Sequence, residues 1–236
     1  MCLPCGLLHH RSLSRRALLG GGLAAFALAH NAGAAPGATP EGMPGDVALR
    51  QLMAGNARHV ANRPQVRDFN AGRLERLTTQ RPIAAVLGCA DSRVAPEFAF
   101  DEGPGKLFVV RVAGNILDND GAASLEYAVK FLGVHLVLVL GHRNCGAVDA
   151  AIKAVKDGTV LPGHLPGLID PIKAAVQAAQ ATKPADLLAA AITENVRQTA
   201  RLITTSTPIL AEAVGTGGLK VAGGVYDLAN GRVALV

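Results

Sequence analysis

The sequence predicts an α/β domain with a mostly parallel central sheet flanked by helices, and with a pair of strands at its C-terminal end. Three observations support this fold class. Short runs of almost continuously apolar residues are typical of strands covered on both faces, and segments with helical spacing separate these runs. Near the end of the chain, two strand-like runs are joined at residues 229–231, where an Asn-Gly pair indicates a turn.

Apolar spacing gives the order of the elements. A first helix is predicted from Val47 to a stop before Pro64. The elements that follow are, in order, strand 83–88, strand 107–112, helix 121–133, strand 135–141, helix 146–158, and helices near 167–181 and 185–204. Because ligands of such folds collect at the carboxyl ends of the strands, we expect a functional site at this edge of the sheet.

The N-terminal segment has the features of an export signal. A basic start, an apolar stretch at 17–29 and small residues at 32–34 predict a secretory signal peptide over residues 1–34, cleaved near Ala34. Arg15 and Arg16 favour the twin-arginine export route, although a chance Arg-Arg pair before an ordinary signal is the alternative. The apolar stretch is too short to span a bilayer, so we expect a periplasmic protein without a stable membrane anchor.

A Pro- and Gly-rich linker at 35–46 is predicted to precede a single domain at 47–236. The formal net charge is +5 for the whole chain and about +2 once the arginines of the signal are removed. The sequence has no tryptophan and two tyrosines. It therefore offers neither the basic surface nor the aromatic platform that nucleic-acid binding needs, and we expect no nucleic-acid partner.

The cysteines indicate a site rather than a framework of disulfides. Of the four, Cys2 and Cys5 fall in the predicted signal, which leaves Cys89 and Cys145 in the mature protein. In an exported protein a disulfide between two cysteines is the ordinary expectation. The residues beside these two favour a metal site instead.

Each mature cysteine follows a predicted strand and has chemically useful neighbours. His142 stands three residues before Cys145, and a helix that opens directly after Cys145 would favour its thiolate. Two thiolates and an imidazole suit zinc, and three protein ligands leave a fourth position open, as in catalytic sites. Asp91 could take that position or pair with Arg93. Paired with Arg93, it could accept a hydrogen bond from a water molecule whose pKa zinc lowers to about 7.

The two motifs together resemble those of the β-class carbonic anhydrases. C-x-D-x-R at 89–93 and H-x-x-C-G at 142–146 carry the resemblance, and FVVRVAGN at 108–115 and SLEYAV at 124–129 are also family-like. The resemblance covers most of the mature chain. It implies a zinc-dependent catalytic domain that converts carbon dioxide and water reversibly to bicarbonate and a proton.

The resemblance also implies the roles of individual residues. One zinc ion per chain would be held by Cys89, His142 and Cys145. Asp91 and Arg93 would form the catalytic pair, and Asp91 could become a fourth zinc ligand in a closed state. The family assembles as a homodimer or a dimer of dimers, with pockets at the subunit interface.

Four further positions match the family's substrate pocket. Gln80 stands where some members use an amide to orient the substrate, and Phe108 and Tyr127 stand where the family lines an apolar channel. Gly146 follows the second ligand cysteine and lets the backbone approach the metal site. The alternatives are that Phe108 and Tyr127 are ordinary core residues and that Gln80 is a solvated residue before a strand.

Two other functions fit the same residues. A hydrolase of carbonyl sulfide or carbon disulfide would apply the same zinc chemistry to another linear molecule, and the shape of the pocket would decide between substrates. A structural or sensing protein would bind zinc without turnover, but the presence of Asp91, Arg93, Gln80 and Gly146 argues against lost activity. For Asp91 and Arg93 the alternative to a catalytic pair is an ordinary surface ion pair.

Overall fold

The centre of the domain is a five-stranded sheet in the order β2-β1-β3-β4-β5, in which only β5 runs antiparallel to its neighbour. The computed structural model describes residues 42–236. Its strands are β1 (Ala84–Gly88), β2 (Leu107–Arg111), β3 (Leu136–His142), β4 (Lys220–Tyr226) and β5 (Val233–Leu235). The predicted fold class, a mostly parallel sheet with a C-terminal strand pair, is confirmed.

Seven α-helices accompany the sheet within residues 42–236. They are α1 (Gly45–Val60), α2 (Pro96–Ala99), α3 (Asn119–Leu132), α4 (Gly146–Asp157), α5 (Leu165–Ala181), α6 (Leu187–Thr205) and α7 (Ile209–Gly215). Apolar spacing does not predict α2 and α7, because helices of four and seven residues are too short to show a helical repeat.

The start of the folded domain lies close to the predicted boundary. Helix α1 begins at Gly45, two residues before the expected first residue, Val47. The predicted signal peptide at 1–34 and most of the predicted linker lie outside the described residues. Within the described range, no helix is both long enough and apolar enough to cross a membrane.

Burial on both faces explains why the central strands are continuously apolar. On one face, Leu87 and Val139 pack in a cluster that includes residues of α3 to α6. On the other face, Val86 and Leu140 pack in a second cluster with Leu52 of α1. Every residue of β1 and β3 is buried, so these two strands form a rigid support in the middle of the domain.

The register of β1 and β3 brings two distant parts of the chain to one edge of the sheet. The strands are parallel, and Gly88 pairs with Leu140. Cys89 directly follows β1, and His142 is the last residue of β3. Both residues therefore emerge at the carboxyl edge, where the sequence analysis expects a site.

A buried carboxylate ties α1 to the loop before β2. The Asp101 side chain is 3% exposed and accepts hydrogen bonds from the side chains of Arg58 on α1 and of Arg67. The backbone N–H of Gln65 donates to the same carboxylate. Burial alone would raise the pKa of Asp101, but the bonds from Arg67 and Arg58 outweigh it and hold the pKa at about 2.

We expect Asp101→Asn to lower the free energy of unfolding by about 2 kcal/mol near neutral pH, because both arginines lose their carboxylate. The pKa of Asp101 is lower in the folded protein, about 2, than the unfolded value of about 3.9. Its contribution to stability is therefore present above about pH 4 and is lost as the pH falls towards 2.

Urea unfolding of both proteins at a series of pH values measures this effect. The difference between wild type and Asp101→Asn should shrink as the medium becomes acidic. Asp157→Asn, at an exposed position near the end of α4, is the control and should change stability by no more than about 0.5 kcal/mol. Equal stability of wild type and Asp101→Asn near neutral pH would contradict the stabilising role of the Asp101 carboxylate.

Candidate metal centre

Three metal-ligating side chains meet at the carboxyl edge of β1 and β3. One ligand atom each of Cys89, His142 and Cys145 lies within 4.8 Å of the other two, and all three residues are buried. The two sulfur atoms are 4.0 Å apart and both thiols are free. Because bonded sulfurs are about 2 Å apart, the disulfide alternative does not describe this structure.

Turns at the ends of two strands place these residues. β1 ends at Gly88, so Cys89 is the first residue to leave the sheet. After His142 the chain turns through Asn144, which has a φ of 55°, and Cys145 becomes the N-cap residue of α4. A thiolate at this end of a helix is stabilised by the helix dipole.

His142 offers one ring nitrogen to a metal ion. Its Nδ1 lies 2.9 Å from the carbonyl oxygen of Arg143, so we assign the proton to Nδ1, which donates to that oxygen. Nε2 then carries a lone pair, and within the described chain it is buried without a hydrogen-bond partner. Such an atom is costly to bury. An imidazole nitrogen and two cysteine sulfurs are ordinary zinc ligands, so the donor set fits zinc.

One of the two thiols, that of Cys89, favours the deprotonated sulfur that a metal requires. A hydrogen bond between them lowers the pKa of Cys89 below its ordinary value and raises that of Cys145, so the pair shares a proton. The backbone N–H of Gly114 also donates to the Cys89 sulfur, at 3.2 Å. Cys89 therefore carries negative charge readily, as a zinc ligand must.

The backbone N–H of Gly114 is held in place by the conformation of Gly114 itself and by Asn195, neither of which is predicted as a site residue from the sequence. Gly114 lies in a 3₁₀ turn after β2 with a φ of 73°, and a Cβ there would approach Ile172 to 2.6 Å. The buried side chain of Asn195, on α6, donates a hydrogen bond of 2.8 Å to the Gly114 carbonyl. The glycine in V-A-G-N could have indicated a turn, but no local pattern connects it to Asn195.

Asp91 and Arg93 form a pair beside the three ligands. The Arg93 guanidinium donates to both carboxylate oxygens, at 2.9 and 2.7 Å, and the backbone N–H of Arg93 donates at 3.0 Å. The side-chain bonds from Arg93 hold the pKa of Asp91 well below its usual range, against the opposing effect of burial. Asp91 Oδ2 is 3.7 Å from Nε2 of His142, so the pair adjoins the ligand group rather than standing alone on the surface.

Residues 84–233 match a family model described as carbonic anhydrase. This range is more than half of the chain and contains both motifs and all five site residues described above. The chain belongs to the β-carbonic anhydrase family. The resemblance carried by its two motifs is thereby confirmed, and so is zinc as the metal that the family uses at a Cys-His-Cys group such as this one.

Individual carbonic anhydrases resemble the chain over most of their length. Carbonic anhydrase 2 of Mycobacterium tuberculosis is 36% identical over 189 residues, which cover 80% of this chain and 91% of the relative. The carbonic anhydrase of Mycolicibacterium smegmatis is 40% identical over 192 residues with the same coverage. A structure from a study of two tetrameric β-carbonic anhydrases of Sordaria macrospora has a TM-score of 0.62 at 24% identity, over 81% of this chain and 94% of that one. At that identity the last comparison supports the fold alone.

Two of the predicted pocket residues of this β-carbonic anhydrase line one groove, and a third lies beside one of them. Gln80 and Tyr127 line a groove of about 720 Å³, and the ring of Phe108 lies 6.3 Å from that of Tyr127, measured between centroids. None of Cys89, His142 and Cys145 lines this groove. Tyr127 and its neighbour Phe131 are 47% and 63% exposed. The structure thus brings Gln80 and Tyr127 together in one groove, with Phe108 beside Tyr127, but Cys89, His142 and Cys145 of the same chain do not line it.

Gly146, the fourth predicted pocket residue, is the first residue of α4 and is exposed. A Cβ built on it would meet no other atom within 4 Å. Packing within the chain therefore does not require glycine here. Its role in giving access to the metal site stays a prediction.

Proposed function

We propose that the site at the carboxyl edge of β1 and β3 catalyses the reversible hydration of carbon dioxide to bicarbonate and a proton. Cys89, His142 and Cys145 would hold one zinc ion per chain. The observation that carries the proposal is the Nε2 of His142, which is buried beside two free thiols without a hydrogen-bond partner in the described chain. Membership of the family and relatives named carbonic anhydrase support the same activity.

Asp91 and Arg93 would orient the reacting groups. Zinc, when bound, makes a water molecule acidic enough to supply a nucleophile near neutral pH. The ionised Asp91 carboxylate would accept the hydrogen bond of that nucleophile and direct its oxygen lone pair at the substrate carbon. Arg93 keeps the carboxylate ionised and fixed through its two side-chain hydrogen bonds.

The contacts of Asp91 support an open site. With both carboxylate oxygens bonded to Arg93, Asp91 would not coordinate a bound zinc ion and would leave a ligand position for water. A closed state, in which Asp91 releases Arg93 and becomes the fourth ligand, stays a prediction. X-ray absorption at low and high pH distinguishes the two states, because a carboxylate ligand changes the coordination shell.

Stopped-flow measurement of carbon dioxide hydration on zinc-quantified protein tests the proposed activity. We expect turnover that scales with zinc content. The same preparation should be assayed with carbonyl sulfide and carbon disulfide. Turnover of those gases without carbon dioxide hydration would favour the hydrolase, and a zinc-loaded protein inactive on all three would favour the non-catalytic alternative.

We also infer that the chain works as a homodimer or a dimer of dimers, with each site completed across the interface. Support comes from the exposed aromatic side chains of Tyr127 and Phe131, which leave apolar surface that a second copy would cover. The groove that contains Gln80 and Tyr127 lacks the ligands of its own chain. A groove of this kind could complete the metal site of the partner.

Mixed dimers test this arrangement. One chain carries Cys145→Ser and loses its metal, and the other carries Gln80→Ala with Tyr127→Ala and keeps its metal. If sites form across the interface, one site of each mixed dimer is intact, and random mixing should restore about a quarter of the wild-type rate. If each site lies within one chain, mixing restores nothing, and the proposed interface is wrong.

The first 34 residues support export in the folded state to the periplasm, followed by cleavage near Ala34. Without zinc, Cys89 and Cys145 would be two neighbouring thiols in an oxidising compartment, where disulfides form. Folding and zinc binding before export would protect them, because binding and folding are coupled. The twin-arginine route provides that order of events.

Changing Arg15 and Arg16 to lysine should stop export and leave active enzyme in the cytoplasm. Cell fractionation with an activity assay measures the outcome. A signal that exports unfolded chains should deliver protein with less zinc and more oxidised cysteine. If that protein arrives fully loaded with zinc and fully active, the link between export route and thiolate protection is wrong.

A further inference from the structure

Arg111 makes three hydrogen bonds to the backbone of the segment that carries Cys89, Asp91 and Arg93. Its Nε donates to the carbonyl oxygen of Cys89 at 3.0 Å. Its Nη2 donates to the carbonyl oxygens of Asp91, at 2.6 Å, and of Val94, at 2.9 Å. One guanidinium therefore contacts the backbone of Cys89, a proposed metal ligand, of Asp91, a member of the proposed catalytic pair, and of Val94, where the loop ends.

The position of Arg111 in the sheet explains this reach. It is the last residue of β2 and pairs with Gly88, the last residue of β1. The loop from Cys89 to Val94 leaves β1 at that point and turns back, with the N–H of Val94 donating to the carbonyl of Asp91 at 3.1 Å. The Arg111 side chain lies against this turn and attaches it to the neighbouring strand.

The bonds made by Arg93, unlike those made by Arg111, do not attach the backbone of this loop to β2. Arg93 bonds to Asp91 within the loop and, more weakly, to the Asn144 carbonyl at 3.4 Å. Those bonds orient the catalytic pair, but they do not fix the loop to the sheet. Within residues 42–236, no carboxylate accepts a hydrogen bond from Arg111, so its charge is directed at these carbonyl dipoles rather than at an ion-pair partner.

We propose that Arg111 is a positioning residue that fixes the Cys89 sulfur and the Asp91 carboxylate relative to each other. The inference rests on the proposed zinc site and catalytic pair. Arg111 donates from two nitrogen atoms of a planar fork, whereas lysine carries all of its donors on one nitrogen and cannot reproduce that arrangement. The proposal therefore requires the shape of arginine in addition to its charge.

The test compares Arg111→Lys and Arg111→Ala with wild type. Zinc affinity is measured by competition with a chelator, site geometry by the visible spectrum of the cobalt-substituted protein, and turnover by kcat and KM. We expect zinc to bind about 10- to 100-fold more weakly in both variants, as is typical when a supporting contact is lost. The cobalt bands should shift, and kcat should fall with little change in KM.

Arg197→Ala is the matched control. Arg197 is an exposed arginine on α6 that makes no side-chain hydrogen bond or ion pair to another described residue, and its removal should leave zinc affinity, spectrum and kcat unchanged. A loss of thermal stability alone, without changes in spectrum and affinity, would show that Arg111 is merely structural. If the alanine variant folds poorly, the lysine variant decides.

A lysine variant with wild-type zinc affinity and cobalt spectrum would overturn the proposal. The cobalt spectrum does not depend on turnover, so the two proposals can fail separately. A spectrum that shifts in the variants of a protein without hydration activity would support the role of Arg111 while contradicting the proposed function. If the wild type is active and its cobalt spectrum does not change when Arg111 is replaced, the proposed function is supported and the role of Arg111 is contradicted.

Discussion

Cys145→Ser is expected to give a folded protein that retains little zinc and has no measurable carbon dioxide hydration. A serine hydroxyl is a poor substitute for a thiolate as a zinc ligand, and the two remaining donors, Cys89 and His142, cannot hold the ion alone. The fold should survive, because Cys145 is the N-cap residue of α4 and serine is among the preferred residues at that position.

Metal analysis of purified protein, circular dichroism and stopped-flow hydration measure this outcome together. Ala147→Ser places a hydroxyl in the same helical turn without removing a ligand, and it should keep its zinc and most of its rate. Cys89→Ser should behave as Cys145→Ser does. A Cys145→Ser protein with one zinc ion per chain and the full rate would contradict the assignment of the metal site.

Asp91→Asn and Arg93→Ala are each expected to lower kcat by a factor of about 10² to 10⁴ while zinc stays bound. The asparagine variant loses the ionised acceptor that would orient the nucleophile. The alanine variant loses the two bonds that fix the carboxylate. Neither change removes a metal ligand, so the loss of rate should be separable from loss of metal.

The pH dependence distinguishes the two variants. Bonds from Arg93 lower the pKa of Asp91, so removal of Arg93 lets that pKa rise, and activity should then be lost at a higher pH on the acid side. Arg201→Ala, which removes another exposed arginine from an ion pair, is the control and should leave the profile unchanged. If Arg93→Ala matches wild type in rate and profile, the two residues form only a surface ion pair.

Much of the site could be predicted because its chemistry is encoded locally. Cys89, Asp91 and Arg93 are close in sequence, and His142 and Cys145 are three residues apart. The continuous apolar runs before them predict buried parallel strands, whose ends meet at one edge. Two short local patterns and one rule of sheet geometry are therefore enough to predict the ligand group.

The supporting contacts could not be predicted in this way. Asn195 acts on Gly114 from 81 residues away, and Arg111 acts on Cys89 from 22 residues away. Such bonds depend on how helices and strands pack, which apolar periodicity does not encode. The resemblance to the family names Gln80 and Tyr127 as pocket residues, but it does not say which chain's metal they face.

The proposed metal ligands come from two stretches of chain, with Cys89 and Cys145 separated by 56 residues. They are adjacent only after the sheet has formed, so an ion bound to all three is bound by the native state alone. By mass action, each tenfold rise in free zinc above the dissociation constant then adds about 1.4 kcal/mol to the free energy of unfolding. The stability of this enzyme would thus depend on the metal supply of its compartment, and zinc starvation would lower its resistance to unfolding as well as remove its activity.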